Sequence, residues 1–538
     1  MPETDYKTWI STTEASQQEL AAMRRQVAGF EYLPKISLIL VVSDADEVWI
    51  KSSIDSVISQ IYPRLELCVC DNGSVRPHVP EVLEDYTATE ERIKVRRLSK
   101  EKSRAGAYNA ALSMSTGEYV ALLGQDDEIA SDALFKVVEF LQDFRADVIY
   151  TNEDSIDVSG GRSDPIFKPY YSPDLLLSTA YTGRMCVMRK SLLEAPEAFR
   201  DGIGEAEEQD LLLRLSERTD SIRHLPGMLY HRRKLPELEM SGNSPGRASA
   251  RVIEEALERR EEDATVQPGL VRGSFRVFRS LHGRPRVSVI VSVPEGAAGV
   301  PLVKELKRET SYPIHQVILA SAGYEAPTSN DHVSHPFLAR ALNLAADKAE
   351  SEYLAFVDGR ARITNPEWLW EMVSQAQRPD VGAVGCRLLN QDGTLRHGGT
   401  FIETSRLVDS LDEPVFDKEP PPLVDLAPFN FTAASAECMV VRATVFEEAE
   451  GFDDERLPAT FYDLDLCFRL REKGLLNLYT PYASMVCGSP GPSPGEGEIG
   501  YMWRRWWEEL VRLLYYRWSP LHAGNNGVYS GAQIFLSS

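Results

Sequence analysis

One pattern of apolar and polar residues occurs twice along the chain, and this repeat constrains the fold more than any other feature. The apolar run Ser37–Val42 returns as Ser288–Val293, and further matching segments follow each run in the same order. The matching pairs are Ile61-Tyr-Pro63 with Ser311-Tyr-Pro313, Tyr108-Asn-Ala110 with Ala341-Leu-Asn343, Glu118-Tyr-Val-Ala-Leu122 with Glu352-Tyr-Leu-Ala-Phe356, and Glu208-Gln-Asp-Leu-Leu-Leu-Arg-Leu215 with Asp463-Leu-Asp-Leu-Cys-Phe-Arg-Leu470. An internal repeat of this length indicates two domains of one fold.

Each copy alternates short apolar runs with segments of helical length. In the first copy the predicted strands are Ile36–Val42, Leu65–Cys70, Ile93–Leu98 and Tyr119–Leu123. Buried strands that alternate with helices are typical of an α/β fold with a parallel, doubly wound sheet. The predicted division is a helical lead-in at 1–30, a first domain at 31–232, a connector at 233–284, a second domain at 285–495, and a C-terminal helix and tail at 496–538.

Acidic residues follow three of the predicted strands in the first copy. Asp44, Asp71 and Asp126 lie at or just beyond strand ends, and Asp127 and Glu128 extend the last cluster. The carboxyl ends of strands in open α/β sheets are where such folds bind ligands, and carboxylate oxygens suit a hard divalent cation that bridges to phosphate. The same cluster would also serve as a solvated strand end or as the cap of the next helix, so the pattern alone leaves both interpretations open.

The motifs of the first copy, taken in order, resemble those of family 2 glycosyltransferases with the GT-A fold, and more specifically the tandem two-domain bacterial enzymes of the O-antigen or rhamnan type. The motifs are Ser59-Gln-Ile-Tyr-Pro63, Asp71-Asn-Gly-Ser74, Thr116-Gly-Glu-Tyr-Val120, Gln125-Asp-Asp-Glu128, Phe167-Lys-Pro169, Asp210-Leu-Leu-Leu-Arg-Leu215 and Leu229-Tyr-His-Arg232. Each is weak by itself, whereas their order and spacing together are specific. The resemblance covers nearly the whole chain and implies two Rossmann-like domains in tandem, each with a doubly wound mixed sheet.

The resemblance implies inverting transfer of a sugar from a nucleotide-sugar donor, UDP- or dTDP-linked, to a glycan or lipid-linked acceptor in bacterial surface polysaccharide biosynthesis. This chemistry needs a base close to the acceptor hydroxyl and a Lewis acid, Mn²⁺ or Mg²⁺, that neutralises the leaving diphosphate. By position in the motifs, the implied residues are Asp71, Asp44, Asn109 and Asp126 for the nucleotide sugar, Asp126 with Asp127 or His231 for the metal, and Glu208 for the base, with Glu207 and Asp210 as alternatives.

The first copy departs from the family pattern at two of these positions. Relatives commonly show Asp-His-Asp-Asp where this chain has Gly124-Gln-Asp-Asp127, so the first carboxylate of the DxD motif is missing and we expect weak or unusual metal dependence. The usual Gln-Asp-Tyr-Asp becomes Glu207-Glu-Gln-Asp210, which places a glutamate, one methylene longer than aspartate, at the base position. His231 could instead be a structural histidine, and the glutamates could simply decorate a helix N-terminus, where the helix dipole favours acids.

The second copy has lost most of these residues. Where the first copy has Asp126 the second has Arg360, and Ala320-Ser-Ala-Gly323 holds no acid at all. Cys487 lies where relatives carry a histidine pair, whereas Asp463 keeps the base position. We therefore expect a pseudo-enzyme that positions the acceptor or supports a homodimer, with direct binding of diphosphate by arginines as the alternative for this copy.

A hypothesis of a different class is that both copies are inactive and the protein is a scaffold subunit of a glycan assembly complex. The missing acid at Gly124 favours this hypothesis. The retained Asp71, Asp126, Glu208 and His231 argue against it.

Charge and composition exclude other classes of protein. The formal net charge of -23 argues against a nucleic-acid partner, because phosphate backbones need a basic surface. The seven cysteines show no zinc-type spacing and indicate buried free thiols in a reducing compartment. We expect a cytoplasmic protein, since no apolar run is long enough to span a bilayer and the polar start is unlike a signal peptide.

The C-terminal run Tyr501–Trp518 combines tryptophans with arginines. Such a run would suit an interfacial helix that brings the enzyme to a lipid-linked acceptor at the inner face of the cell membrane. Its aromatic residues fall on nearly every face of a helix, however, which fits burial better than one apolar stripe. We therefore predict packing against the second domain and keep peripheral membrane contact as the alternative.

Overall fold

The computed structural model describes residues 3–193, 198–235, 246–293, 301–323, 331–397, 400–401, 409–410, 426–487 and 493–515. Its contacts divide the described residues into two compact units: unit 1 lies within Met1–Tyr171 and Ala180–Ala256, and unit 2 lies within Ser172–Thr179 and Leu257–Arg517. The predicted connector is therefore divided between the units near residue 256, and the short segment 172–179, placed by the sequence in the first domain, belongs to unit 2.

The elements up to residue 259 alternate strands and helices. The helices are α1 Glu3–Thr13, α2 Gln17–Gln26, α3 Glu47–Ile58, α4 His78–Thr89, α5 Arg104–Leu112, α6 Ala133–Asp143, α7 Pro173–Ser178 (part of unit 2), α8 Glu207–Ser216 and α9 Arg247–Arg259. The strands are β1 Ile36–Val42, β2 Leu65–Asp71, β3 Ile93–Arg97, β4 Tyr119–Leu123, β5 Glu128–Ile129, β6 Val148–Ile156, β7 Arg162–Ile166, β8 Cys186–Arg189 and β9 Ile222–Arg233.

The sheet of unit 1 is mixed and has the order β3-β2-β1-β4-β8-β6-β9-β5, with β7 beside β6. β1 lies parallel to both β2 and β4, whereas β8 lies antiparallel to β4 and β6. The central strands β2 and β4 are buried along their whole length, because helices cover both faces of the parallel part. The predicted α/β class with a doubly wound mixed sheet is confirmed.

The register of the parallel strands brings their carboxyl ends to one edge. Val42 of β1 pairs with Asp71 of β2, and Leu40 pairs with Leu123, the last residue of β4. The loops that begin at Ser43, Asn72 and Gly124 therefore start side by side. This edge carries most of the predicted ligand-binding residues of unit 1.

Unit 2 has the same construction. Its further helices are α10 Pro301–Glu309, α11 Leu338–Asp347, α12 Trp368–Ala376, α13 Ala443–Glu448, α14 Tyr462–Glu472 and α15 Glu496–Tyr515. Its strands are β10 Ala264–Pro268, β11 Phe275–Arg279, β12 Val287–Val293, β13 Gln316–Ala322, β14 His332–His335, β15 Tyr353–Asp358, β16 Arg362–Ile363, β17 Val381–Leu389, β18 Leu395–His397, β19 Thr400–Phe401, β20 Asp409–Ser410, β21 Phe429–Asn430, β22 Cys438–Arg442 and β23 Leu476–Val486.

The main sheet of unit 2 follows the order β14-β13-β12-β15-β22-β17-β23-β16, which matches that of unit 1 strand for strand. β12 lies parallel to β13 and β15, and β22 lies antiparallel to β15, as their counterparts do. The repeat in the sequence is therefore a repeat of the whole sheet.

An asparagine clamp occurs in both units. In unit 1 the side-chain amide of Asn109 donates to the carbonyl of Phe199 at 2.7 Å and accepts from its N–H at 3.1 Å. In unit 2 Asn343 makes the same two bonds to Phe452, both at 2.9 Å. Each clamp ties a helix to a distant loop. Because both amide groups of Asn109 are used in this way, its predicted contact with a nucleotide sugar would have to compete with the clamp.

The described part of the C-terminal helix packs within unit 2. Trp506 is buried, its indole N–H donates to Asp465 at 2.8 Å, and its ring centroid lies 5.0 Å from that of Phe468. This arrangement supports the packing interpretation of the tryptophan-rich run up to Glu509, beyond which the side chains lie outside the described residues. None of the described helices is both long and apolar enough to cross a membrane. All seven cysteines are buried free thiols, as predicted.

Replacing either clamp residue should destabilise its own unit. Asn109→Ala and Asn343→Ala each leave a backbone N–H and carbonyl without their partners, so we expect each to lower the free energy of unfolding by about 1 to 3 kcal/mol. Urea unfolding followed by circular dichroism would measure both variants beside the wild type. An unchanged unfolding midpoint in either variant would show that the clamp does not stabilise that unit.

Candidate functional site

Asp127 anchors the loop that follows β4. Its Oδ2 accepts a 2.6 Å hydrogen bond from the hydroxyl of Tyr230 and lies 3.3 Å from Nη1 of Arg184, and its Oδ1 accepts from the backbone N–H of Arg233 at 2.9 Å. The carboxylate is buried, with both oxygens occupied. Asp127 fastens the end of β4 to β9, and the metal-ligand role predicted for it would require these hydrogen bonds to be given up.

Asp126, the neighbouring acid, is half-buried and differently placed. Its backbone carbonyl accepts from Nε of Arg233 at 3.1 Å. Its carboxylate accepts no hydrogen bond from any residue that the structure describes. Burial and the nearby charge of Asp127 raise the pKa of Asp126 from 3.8 to about 6. A carboxylate that is partly desolvated yet without a hydrogen bond is the side chain of this loop available to a ligand.

His231 is held by a chain of buried polar groups. Its Nδ1 lies 2.7 Å from Oδ1 of Asp154, and Oδ2 of Asp154 accepts from the hydroxyl of Tyr6 at 2.5 Å and from Nε of Arg162. A carboxylate beside Nδ1 fixes the tautomer and leaves the lone pair on Nε2. Nε2 has no hydrogen-bond partner among the described residues, which is the state a metal-ligating histidine requires.

No motif in the sequence points to Tyr6, which lies in the helical lead-in, 148 residues from Asp154. Burial, followed by the charge of Asp154, raises the pKa of Tyr6 above its ordinary value, so its hydroxyl stays protonated and donates. The lead-in helix α1 thereby contributes to the support of His231.

Within the described parts of the chain, no group of three or more His, Cys, Asp and Glu side chains lies close enough to hold a metal ion. Asp126 offers a hard carboxylate oxygen and His231 offers Nε2, and no described residue hydrogen-bonds either group. These two residues fit a metal only if the ligand itself supplies further oxygens, as a diphosphate does.

Asp71 and Asp44 have different surroundings at the ends of β2 and β1. Asp71 is buried; its Oδ1 accepts from the N–H of Ser74 at 2.9 Å, while its Oδ2 accepts no hydrogen bond and has Nε of Arg97 at 3.2 Å. Oδ1 of Asp44 accepts from the N–H groups of Val75 and Arg76 at 2.8 and 2.9 Å. These backbone bonds, that of Arg76 first, lower the pKa of Asp44. Asp44 thus fixes the loop after β2. The acceptor atom at these strand ends that no described residue hydrogen-bonds is Oδ2 of Asp71.

The three candidate bases lie in the first turn of α8, and only one is suitably placed. Asp210 is buried and paired with Arg200 and Arg214, whose Nε atoms lie 3.0 and 2.9 Å from its Oδ2. Glu207 is also buried. The side chain of Glu208 is about a quarter exposed, and its Oε1 accepts from Nη2 of Arg104 at 2.7 Å.

Asp210 belongs to a structural pair that recurs in unit 2, where Nε of Arg469 donates to Asp465 at 2.7 Å. These pairs make Asp210 less available as a base than Glu208. Glu208 instead lines a small cavity together with Gly183 and Arg184, which leaves it as the candidate base of this helix turn.

The missing first acid of the DxD motif has a steric explanation. A Cβ atom at Gly124 would overlap Oδ2 of Asp127 and would lie 2.7 Å from Nη1 of Arg184. An aspartate at position 124 would therefore need both side chains to move. The sequence could not reveal this contact, because Arg184 lies just before β8, sixty residues further along the chain.

At the corresponding edge of unit 2, the acidic side chains are paired with other groups of the same unit. Asp358 receives two hydrogen bonds from Arg360, at 2.9 and 2.7 Å. Asp463 accepts from the backbone N–H groups of Ala436 and Leu464 at 2.8 and 2.9 Å, and burial raises its pKa. With Arg360 committed to Asp358, direct binding of diphosphate by this arginine would first have to break that pair.

Comparison with known proteins agrees with this geometry. Residues 37–195 match the model of "Glycosyl transferase family 2". This segment is a family 2 glycosyltransferase domain, as the resemblance of its motifs predicted.

Individual relatives extend the match over most of the chain. It is 33% identical over 510 residues to "O-antigen biosynthesis protein RfbC" of Myxococcus xanthus, which covers 90% of this chain and 39% of that protein. It is 31% identical over 510 residues to "Uncharacterized protein y4gI" of Sinorhizobium fredii, covering 88% of this chain and 56% of that protein. The chain thus spans between two fifths and three fifths of the length of these relatives.

Among solved structures, "S. aureus TarS 1-349 in complex with UDP-GlcNAc" is similar with a TM-score of 0.35 and 22% sequence identity, over 41% of this chain and 66% of that chain.

The ionisation of Asp126 should make the folded state less stable as the pH rises. Its folded pKa of about 6 exceeds the ordinary 3.8, so the stabilisation present below about pH 4 is lost as the pH rises through about 6. We expect Asp126→Asn to unfold at a higher temperature than the wild type at pH 7.5, with the difference shrinking toward pH 4. Asp127→Asn is the matched control and should lower the unfolding temperature at pH 7.5, because it disturbs the anchor. Asp126→Asn below the wild type at pH 7.5 would contradict the assignment.

Enlarging Gly124 should strain the loop. We expect Gly124→Ala to lower the free energy of unfolding by about 1 to 3 kcal/mol, since the new Cβ meets Asp127 and Arg184. Gly29→Ala, where no atom lies within 4 Å of the new Cβ, serves as the control and should be close to neutral. Equal unfolding midpoints for the two variants would show that the loop has room for a side chain.

Proposed function

We propose that this chain is an inverting glycosyltransferase of bacterial surface polysaccharide biosynthesis and that unit 1 carries out the transfer from a nucleotide-sugar donor. One observation carries the proposal: at the predicted ligand-binding edge of unit 1, Asp71, Asp126 and His231 each keep an acceptor atom that no described residue hydrogen-bonds, although Oδ2 of Asp71 is ion-paired with Arg97. The family 2 domain at residues 37–195 and the name of the Myxococcus relative support the class of reaction and the pathway.

Asp71 is the proposed contact for the nucleotide. A buried carboxylate oxygen without a hydrogen bond is costly, and a donor group of the ligand would remove that cost. The imide N–H of uracil or thymine and the hydroxyl groups of ribose are such donors, which accommodates both UDP- and dTDP-linked sugars.

Asp126 and His231 are the proposed ligands of a divalent metal, Mn²⁺ or Mg²⁺, with the diphosphate of the donor supplying further oxygens. A metal bound there would neutralise the charge that develops on the leaving diphosphate. Asp154 and Tyr6 would hold the imidazole of His231 in place.

Glu208 is the proposed base. It would take the proton of the acceptor hydroxyl while that oxygen forms its bond to the anomeric carbon and the bond from this carbon to the diphosphate breaks. A single displacement of this kind inverts the configuration. The ion pair with Arg104 would orient Glu208 before the acceptor arrives. The acceptor would be a glycan or a lipid-linked saccharide, the latter at the cytoplasmic face of the membrane.

For unit 2 we propose a supporting role, either in positioning the acceptor or in forming a homodimer. The Asp358–Arg360 pair and the absence of an acid in Ala320-Ser-Ala-Gly323 support a loss of donor binding there. The scaffold hypothesis for the whole protein would require the same loss in unit 1, and the unsatisfied acceptors of unit 1 argue against it.

A donor screen that measures nucleotide release should separate the two units. We expect Glu208→Gln to reduce turnover by about 100-fold to 10,000-fold while nucleotide binding is kept, since only the base is lost. Asp463→Asn, at the equivalent position of unit 2, is the matched control and should keep wild-type turnover. A loss of turnover in Asp463→Asn with none in Glu208→Gln would place the chemistry in unit 2. A wild type that binds neither UDP nor dTDP, with or without Mn²⁺, would favour the scaffold.

A further inference from the structure

Arg184 occupies the space left by the missing acid of the DxD motif. Its Nη1 lies 2.7 Å from the position of a Cβ at Gly124 and 3.3 Å from Oδ2 of Asp127. The side chain is one-third exposed, at 33%. A guanidinium has five N–H donors, and among the residues that the structure describes Asp127 is the hydrogen-bond acceptor it uses.

Anchoring of Asp127 does not account for this arginine. Oδ2 of Asp127 already accepts the shorter bond from Tyr230, and Oδ1 accepts from the N–H of Arg233. Arg184 adds a third, longer contact to a carboxylate that is satisfied without it. Most of its donors therefore remain for an anion at this edge of the sheet, and Arg184 lines the same small cavity as Glu208.

The two copies carry opposite charges at this position. β8 pairs with β4, and β22 with β15, in the same register, so Arg184 corresponds to Glu437 and Gly124 corresponds to Asp358. Where the strand-end acid is present, the residue on the neighbouring strand is also an acid. Where that acid is absent, the residue is a cation.

At these positions of unit 2 each acidic side chain is paired with an arginine, which is not the case in unit 1. Asp358 is paired with Arg360, and Glu437 receives bonds from Nε and Nη2 of Arg396 at 3.0 and 2.6 Å. Among the described residues of unit 1, neither Arg184 nor Asp126 forms an ion pair with two hydrogen bonds. Both residues lie at the predicted ligand-binding edge.

We propose that Arg184 binds the diphosphate of the nucleotide-sugar donor, so that a resident cation stabilises the leaving group beside any metal held by Asp126. The inference rests on the proposed function and goes beyond it, since it makes part of nucleotide binding independent of metal. A guanidinium suits this role because it presents paired N–H donors to phosphate oxygens, and a fixed positive charge near the leaving oxygen lowers the barrier to its departure.

Calorimetric titration of the full chain with UDP, dTDP and uridine, each in EDTA and in Mn²⁺, tests this inference. We expect the wild type to bind a nucleoside diphosphate measurably in EDTA. Arg184→Gln should weaken that binding by about 10-fold to 100-fold in both conditions, as the loss of a charged hydrogen bond predicts. Uridine binding should be unchanged, and Arg184→Lys should restore part of the diphosphate affinity.

Two variants provide matched controls. Asp126→Asn should lose the affinity gained with Mn²⁺ and keep the affinity seen in EDTA. Glu437→Gln, at the equivalent position of unit 2, should bind as the wild type does. Circular dichroism checks folding, and if Arg184→Gln does not fold, Arg184→Met and Arg184→Lys make the same comparison without and with the charge.

The outcomes distinguish the two proposals. Equal diphosphate affinity in the wild type and Arg184→Gln overturns the role of Arg184 and leaves the glycosyltransferase proposal intact. An equal loss for uridine shows a structural role and also overturns it. A wild type that binds no nucleoside diphosphate in either condition overturns both proposals.

Discussion

The site of unit 1 depends on the buried carboxylate of Asp127. Taking an ionised carboxylate out of water is costly unless hydrogen bonds replace those of the solvent, and here Tyr230 and the backbone of Arg233 replace them. Because these groups belong to β9, the anchor fixes the end of β4 against the strand that carries His231. It also separates two adjacent acids. The carboxylate of Asp127 is used in the anchor, whereas that of Asp126 stays available and has a raised pKa.

The fold was predictable from the sequence, whereas the assignment of the acids was not. Apolar runs such as Ile36–Val42 reflect burial on both faces of a parallel sheet, and the repeat of those runs reflects a repeat of the sheet. Asp126 and Asp127, by contrast, are adjacent residues of one type, and only the pairing of β5 with β9 separates their roles. Asn109 and Asp210 lie within family motifs and were assigned to ligand contact or catalysis, yet both stabilise the fold through partners about ninety and ten residues away. Tyr6 and Arg184 gave no local signal, because their importance lies in the distant groups that they contact.

Residues with the same contacts in both copies are those that the fold requires. The asparagine clamp and the aspartate–arginine pair of α8 recur in unit 2 with similar distances. Groups that wait for a ligand, on the other hand, impose a cost on the free protein, and the Asp71 oxygen without a hydrogen bond from any described residue and the raised pKa of Asp126 are costs of this kind. A copy that no longer binds the ligand gains stability when such groups are neutralised. The Asp358–Arg360 pair has the form expected of that change.

Positions in unit 1 can likewise be divided into those that match unit 2 and those that differ from it. Positions 124, 126 and 184 differ from their counterparts 358, 360 and 437 in charge, and all three lie at one edge of the sheet. The base position is intermediate between these classes: Glu208 and Asp463 are both acids, but the first is paired with the half-buried Arg104 and the second accepts from the backbone N–H groups of Ala436 and Leu464. A retained acid therefore does not by itself indicate a retained function, since carboxylates at equivalent positions have different partners in the two copies. The two copies differ in the partners of these charged groups. In unit 2 Asp358 and Glu437 are each paired with an arginine, whereas in the described part of unit 1 Asp126 and Arg184 keep atoms that a ligand could pair.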